Sequence, residues 1–364
     1  MPLNYSLDDL LRQMPGVDAS DLHLRVGEPP VFRVHGKLAR LDYPVLEPGE
    51  TEELMSAVMD ERRRERYYEI YEMDMAYELH DVARFRINCF RQKGRLGAVL
   101  RRIPIDVQTI DDLGLPEVLK RVALLPRGLV LVTGPTGSGK STTLAAMVDE
   151  INRQLRKHIV TIEDPIEFVH LDKKCVVNQR EIGQDTHSFG DALKRVMRQA
   201  PDVILVGEMR DLETIALAIT AAETGHLVFA TLHTTDAMQT VDRAIDVFPP
   251  QQQSQIRMQL AVTLQAVVCQ SLLPLKTAAG RVPAFELMLG THGIRAAIRE
   301  GKTHLLYNMI QAGAEDGMIV LDQYLVGLVQ HGVVTFEDAL AKSSYPKEFY
   351  MRCGVQPPED STLA

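Results

Sequence analysis

Gly134-Pro135-Thr136-Gly137-Ser138-Gly139-Lys140-Ser141 follows an unbroken apolar run, Leu129 to Val132, and leads into a stretch where Leu144, Val148, Ile151 and Leu155 recur at helical spacing. The octapeptide satisfies G-x-x-x-x-G-K-[ST] in full, and its flanks read as a buried parallel strand and an amphipathic helix. Strand, glycine loop and helix in that order bring backbone N–H groups and a helix N-terminus onto one polyphosphate. Lys140 would reach the β- and γ-phosphates and Ser141 would place its hydroxyl on Mg²⁺. The expected ligand is therefore ATP with Mg²⁺, held by Gly134, Pro135, Thr136, Gly137, Ser138, Gly139, Lys140, Ser141 and Thr142. The plain alternative is a Gly/Ser turn joining a strand to a helix.

From Gly114 onward strand-like and helix-like stretches alternate, which predicts a mainly parallel sheet in an α/β domain. The strands are expected at 129–133, 158–163, 203–207, 227–231 and 283–288. The helices include the one after the loop, 189–198, 212–223 and 251–273, with several shorter ones in 291–354. In such sheets the chemistry gathers at the carboxyl ends of neighbouring strands. Hydrolysis there needs a metal, a group that orients water and positive charge over the transition state.

Each strand end offers a candidate. Residues 158–163 run into Asp164-Pro165-Ile166-Glu167, so Glu163, Asp164 and Glu167 bring three carboxylates to the place where Mg²⁺ and water are needed. An ordinary acidic first turn of a helix explains the same residues. Val203-Ile204-Leu205-Val206-Gly207-Glu208 is similar to a Walker B strand with Gly207 where an aspartate usually stands, which leaves Glu208 to polarise water. His233 follows the next strand, placed to meet either the γ-phosphate or a carboxylate; His226 stands at that strand's other end. A structural role for His233 is the alternative.

The first hundred residues read differently. A short amphipathic helix over 3–14 precedes strands at 21–24 and 30–41, the latter folded at His35-Gly36. A helix is expected over 51–71, and its Arg62, Arg63, Arg64 and Arg66 read as a solvated face. Two further strands, 83–90 and 96–103, complete a small α+β domain, with Phe85, Ile87 and Cys89 alternating against Arg84, Arg86 and Asn88. The expected organisation is 1–105, a linker at 106–113 announced by Pro104, the α/β domain at 114–290 with a helical part at 291–354, and a disordered tail at 355–364.

Composition narrows the function. A net charge of −9 argues against a protein whose main task is to coat nucleic acid, whose binding rests on neutralised phosphates. Cys89, Cys175, Cys269 and Cys353 form no C-x-x-C pair, so neither a disulfide framework nor a zinc site is suggested, and reduced thiols of a cytoplasmic protein are expected. The longest near-apolar stretch, 260–275, is too short to span a bilayer, so membrane contact is expected only through a partner.

With these residues in place the sequence resembles the secretion ATPase superfamily, and within it the PilT-like ATPases that retract type IV pili. Gly134 to Ser141 is similar to its Walker A, 159–170 to its aspartate box, Gly207-Glu208-Met209-Arg210-Asp211 to its atypical Walker B and 226–236 to its histidine box. The segment 293–302 resembles the stretch that sets retraction members apart. Assembly and secretion relatives usually carry a long extra N-terminal region and a four-cysteine zinc motif, neither of which is seen in this sequence. The resemblance implies a PAS-like N-terminal domain, a RecA-like P-loop ATPase domain and a homohexamer acting with an inner-membrane platform protein at the cytoplasmic face of the inner membrane. It also implies arginines of the smaller domain reaching the phosphates, with Arg84, Arg86, Arg91, Arg101 and Arg102 as candidates and surface pairing as the alternative for each. An accessory retraction ATPase, a nucleotide-gated regulatory module and an assembly or type II secretion ATPase are the rival readings.

Overall fold

The computed structural model describes residues 3–80, 82–103, 107–277 and 280–356. The expected domain junction at 105 and 106, and residues 357–364 of the expected tail, lie outside the described residues. Two compact units emerge: the described residues up to 103 with Glu167–Val169, and the remainder from 107 onward.

The first unit is a six-stranded antiparallel sheet with helices over one face. Its elements are α1 (Leu7–Gln13), β1 (Ala19–Arg25), β2 (Val31–Val34), β3 (Lys37–Arg40), α2 (Glu50–Ser56), α3 (Glu61–Ile70), β4 (Glu72–Leu79), β5 (Ala83–Gln92) and β6 (Arg95–Ile103), in sheet order β3-β2-β1-β6-β5-β4. Period-two alternation in β5 turns Phe85, Ile87 and Cys89 inward, onto Leu10 and Leu11 of α1 and Leu54 and Met55 of α2. The β2–β3 hairpin turns at His35-Gly36, both left-handed with φ of 47° and 79°, as a two-residue turn that follows strand twist requires.

One expectation for this unit fails. The helix foreseen over 51–71 is two helices, because Asp60 turns extended and its carboxylate accepts from Arg63 N at 2.8 Å, capping a new start rather than continuing the old ladder. Strand β4, whose inward positions Met73, Met75 and Leu79 are buried, went unread between that helix and β5.

The second unit is doubly wound. Its elements are α4 (Val118–Ala123), β7 (Gly128–Thr133), α5 (Lys140–Gln154), β8 (His158–Glu163), β9 (Val176–Glu181), α6 (Phe189–Val196), β10 (Val203–Val206), α7 (Leu212–Glu223), β11 (Leu227–Leu232), α8 (Ala237–Asp246), α9 (Pro250–Thr263), β12 (Leu264–Pro274), β13 (Arg281–Leu289), α10 (His292–Arg299), α11 (Leu306–Ala312), α12 (Leu321–Gln330), α13 (Phe336–Leu340) and α14 (Pro346–Arg352). Sheet order is β13-β12-β7-β11-β10-β8-β9, parallel throughout except for β13. Every residue of β7 is buried, as a central parallel strand covered on both faces demands. On one face α4 and α5 supply Leu119, Met147 and Ile151; on the other α6 to α10 supply Leu193, Ile215, Val241, Leu260 and Ile294.

The second correction lies here. The helix foreseen over 251–273 stops at Thr263, and Leu264–Pro274 is a strand lying between β7 and β13. An apolar run suits a buried helix and a buried strand equally, so periodicity alone does not separate them. The open edge of β7 decided it. Strand β9, at the opposite edge, was also unread.

Candidate active site

The glycine loop leaves the carboxyl end of β7, at the point where the chain departs to opposite sides of the sheet order. Gly134 is buried at φ 139°, and a Cβ there would lie 2.2 Å from the carbonyl oxygen of Gln270, so only glycine fits the turn. Pro135, Thr136 and Gly137 form the exposed tip, while Ser138 turns inward with its hydroxyl buried and without a hydrogen-bond partner among the described residues. Gly139, at φ 90°, starts α5, whose first turn leaves the N–H groups of Ser141 and Thr142 without intrahelical acceptors. The Lys140 ammonium donates to the carbonyl oxygens of Gly134 at 2.8 Å and Pro135 at 3.0 Å, curling over the loop. A cationic head, open helix amides and a glycine-lined bend are a donor set for phosphate oxygens.

Beside the loop, β8, β10 and β11 end in register. Glu208, just past β10, is held on both oxygens: its Oε1 lies 2.8 Å from His233 Nε2 and its Oε2 accepts from Arg210 Nη2 at 2.6 Å. The Arg210 guanidinium, ahead of the opposing effect of burial, holds the Glu208 carboxyl below its usual range. Glu208 thus stays anionic and suits orienting water more than stripping its proton. Of the two destinations open to His233, the described structure has it on the carboxylate.

Gly207 has a steric reason to be glycine. Its N–H donates to Ile162 O at 2.8 Å, and an added Cβ would stand 3.1 Å from that oxygen and 3.3 Å from Glu163 Cα. The Thr231 hydroxyl donates to the Gly207 carbonyl, tying β10 to β11 where the side chains of Glu208 and His233 meet.

The other foreseen acids have different surroundings. Glu163, at the end of β8, accepts from Thr161 Oγ1 at 2.6 Å and Gln179 Nε2 at 3.1 Å, Asp164 is exposed, and Glu167 belongs to the first unit. Among the described residues no group of three or more His, Cys, Asp or Glu side chains is arranged as a metal site. Mg²⁺ in nucleotide sites keeps several waters and takes one or two protein oxygens besides the phosphates. The Ser141 hydroxyl, in the first turn of α5 beside the phosphate donors, suits that thin donor set, and Glu163 and Asp164 stand at the carboxyl end of β8, three strands over from β7.

The arginine candidates all lie in the first unit, and four of them have partners there. Arg101 Nε donates to buried Asp21 at 2.8 Å, Arg102 Nη2 to Asp18 at 2.7 Å, Arg86 lies 3.9 Å from Asp74, and the Arg91 guanidinium sits 4.1 Å above the Tyr71 ring. His226 lies at the amino end of β11, its Nδ1 2.9 Å from Ala221 O, away from the strand ends that carry the loop. In the 293–302 segment Arg295 donates to Gly290 O at 2.6 Å, Ala261 O at 3.2 Å and Gln265 Oε1 at 2.9 Å, and also to Val262 O, closing the last turn of α9. Two residues to which the sequence reading gave no role of their own are Arg210 and Gln270. Arg210 sits two positions past a strand-end glutamate; Gln270 is a polar residue inside an apolar run.

The four cysteines are free thiols, three of them buried. Among the described residues no helix is long and apolar enough to cross a membrane.

Comparison with known proteins agrees with this geometry. The family described as "Type II/IV secretion system protein" matches residues 7–309. A "Type IV pilus retractation ATPase PilT" of Pseudomonas aeruginosa is 53% identical over 91% of this chain and 96% of its own. A "Twitching motility protein" of Neisseria gonorrhoeae is 47% identical over 92% of this chain and 90% of its own. Among solved structures, "Crystal Structure of the Pilus Retraction Motor PilT and Bound ADP" superposes with a TM-score of 0.88 at 44% identity, covering 95% of this chain and 99% of that one.

Proposed function

The chain belongs to the type II/IV secretion system protein family, and from that premise we propose that it is an ATP-hydrolysing motor that powers retraction of type IV pili. The observation that carries the reading is the complete phosphate loop at the end of β7 with a paired carboxylate, Glu208, two strands away on the same sheet edge. The relatives named for pilus retraction and twitching motility support the biological role.

In the proposed mechanism Lys140 turns from the Gly134 and Pro135 carbonyls to phosphate oxygens, and the first-turn amides of α5 bind the remaining charge. Mg²⁺, when bound, neutralises the phosphate oxygens; Ser141, Glu163 and Asp164 are the residues that would hold it. Glu208 orients the attacking water while His233 and Arg210 hold its carboxylate in place. Arg101 is proposed to supply positive charge to the transition state. The motor is proposed to be a ring of six copies that acts at the cytoplasmic face of the inner membrane on a platform protein there and draws pilin subunits out of the fibre.

The test is deletion of the gene with imaging of surface pili. Pili that accumulate and do not shorten support the reading. Bald cells would overturn it in favour of assembly.

A further inference from the structure

Gln270 stands on β12, one residue past the last β12–β7 pair, Cys269 with Thr133, and so directly beside the start of the phosphate loop. It is 4% exposed, a polar side chain in the middle of a buried strand. Its contacts fall on three points of the loop. The backbone carbonyl oxygen stands 2.2 Å from where a Gly134 Cβ would be, its Nε2 stands 2.8 Å from where a Gly139 Cβ would be, and its Oε1 accepts from the buried Thr143 hydroxyl at 2.7 Å. One residue therefore touches the bend that opens the loop, the glycine that starts α5 and the first full turn of that helix.

From this geometry we infer that Gln270 is a positioning residue for phosphate binding: it sets the spacing between the Gly134 bend and the N-terminus of α5, the two sides of the loop that must close on the same phosphate. The inference rests on the nucleotide-binding reading above and adds to it a residue outside the motif. A glutamine suits the task because its amide reaches from β12 to α5 and accepts the Thr143 hydroxyl, which would otherwise be buried without a partner. Asparagine is one methylene short of that span, and leucine fills the volume with no acceptor. Small misplacements of such donors cost much: a shift of about 1 Å can lower reactivity on the order of a hundredfold.

The test compares ligands that differ only in phosphate. Binding of ADP, pyrophosphate and adenosine is measured for the full chain, for Gln270→Leu, for Thr143→Val and for the double variant, beside the thermal midpoint without ligand. The expected result is that Gln270→Leu weakens ADP and pyrophosphate by roughly tenfold or more while adenosine is unchanged. Thr143→Val should show a smaller loss of the same kind, and the double variant should be no worse than Gln270→Leu, because both substitutions break one link. A purely structural role would lower the thermal midpoint and leave the ratio of ADP to adenosine affinity at its wild-type value, which would overturn the inference; additive losses would do the same. If Gln270→Leu does not fold, the ligand ratio of Thr143→Val decides alone. A wild-type chain that ignores ADP would remove the nucleotide reading itself, whereas a wild-type chain that binds ADP and a Gln270→Leu chain that binds it equally well would remove only the role of Gln270.

Discussion

His233 Nε2 and Glu208 Oε1, from the ends of adjacent strands, lie 2.8 Å apart. The contact fixes one oxygen of the Glu208 carboxylate. With Arg210 on its other oxygen, Glu208 is an ionised carboxylate held by two partners, a fixed acceptor for one proton of a water molecule.

Replacing Glu208 by Gln keeps the size of the side chain and removes its charge. ATP turnover is expected to fall by about 10²-fold or more, the order of magnitude for loss of a group that positions a reactant, while ADP binding stays near wild type. Steady-state turnover and ADP titration of the same preparation check both halves.

Removing either partner of Glu208 should raise its pKa, because both lower it in the folded protein, Arg210 more than His233. The acid limb of the kcat profile is then expected to move to higher pH in Arg210→Ala, and by a smaller step in His233→Ala. A His233→Ala profile that coincides with wild type would leave the imidazole without this role.

At Gly207 an added Cβ would stand 3.1 Å from Ile162 O and 3.3 Å from Glu163 Cα, so the β8 backbone must give by a few tenths of an ångström to admit alanine. Gly207→Ala and Gly207→Asp are each expected to destabilise the folded chain by about 1–3 kcal/mol, the usual cost of overpacking. The aspartate found at this point in ordinary Walker B strands should therefore not improve turnover. Thermal melts of the two variants, with turnover measured below the melting range, give the answer.

Glu286 on β13 offers a stability test at a residue outside the loop. Buried beneath α8 and α12, it accepts from Ala237 N at 2.8 Å and Leu321 N at 3.4 Å, and burial pushes its carboxyl from 4.5 up to about 7, with Asp236 and Asp322 adding to the rise. The folded protein therefore binds this proton more tightly than the unfolded chain. The resulting stability is complete below about pH 4.5 and is lost as pH rises toward 7. Glu286→Gln should flatten that part of the curve, which urea unfolding between pH 5 and pH 8 would detect. An unchanged slope would show that Glu286 does not carry it.

What the sequence made legible follows from how locally each feature is determined. The loop from Gly134 to Ser141 was readable because each glycine answers a backbone demand inside the motif or next to it, and α7, over Leu212–Glu223, was readable because its period and its Asp211 cap are local. The break at Asp60 was also encoded locally, yet a helical period on both sides concealed the cap. The run from 260 onward was different: whether it continued as a helix depended on an open strand edge that only the folded sheet supplies.

The sequence by itself determined the nucleotide-binding unit, strand then glycine loop then helix, because its residues are bonded neighbours and the permitted backbone angles leave that arrangement little freedom. Only the tertiary structure decided that His233 lies on Glu208, 25 positions away, and that Gln270 backs the loop by binding Thr143, 127 positions away. Contacts across such separations depend on strand order and register, which arise when the apolar faces of the whole sheet are buried together, and no single segment carries that information.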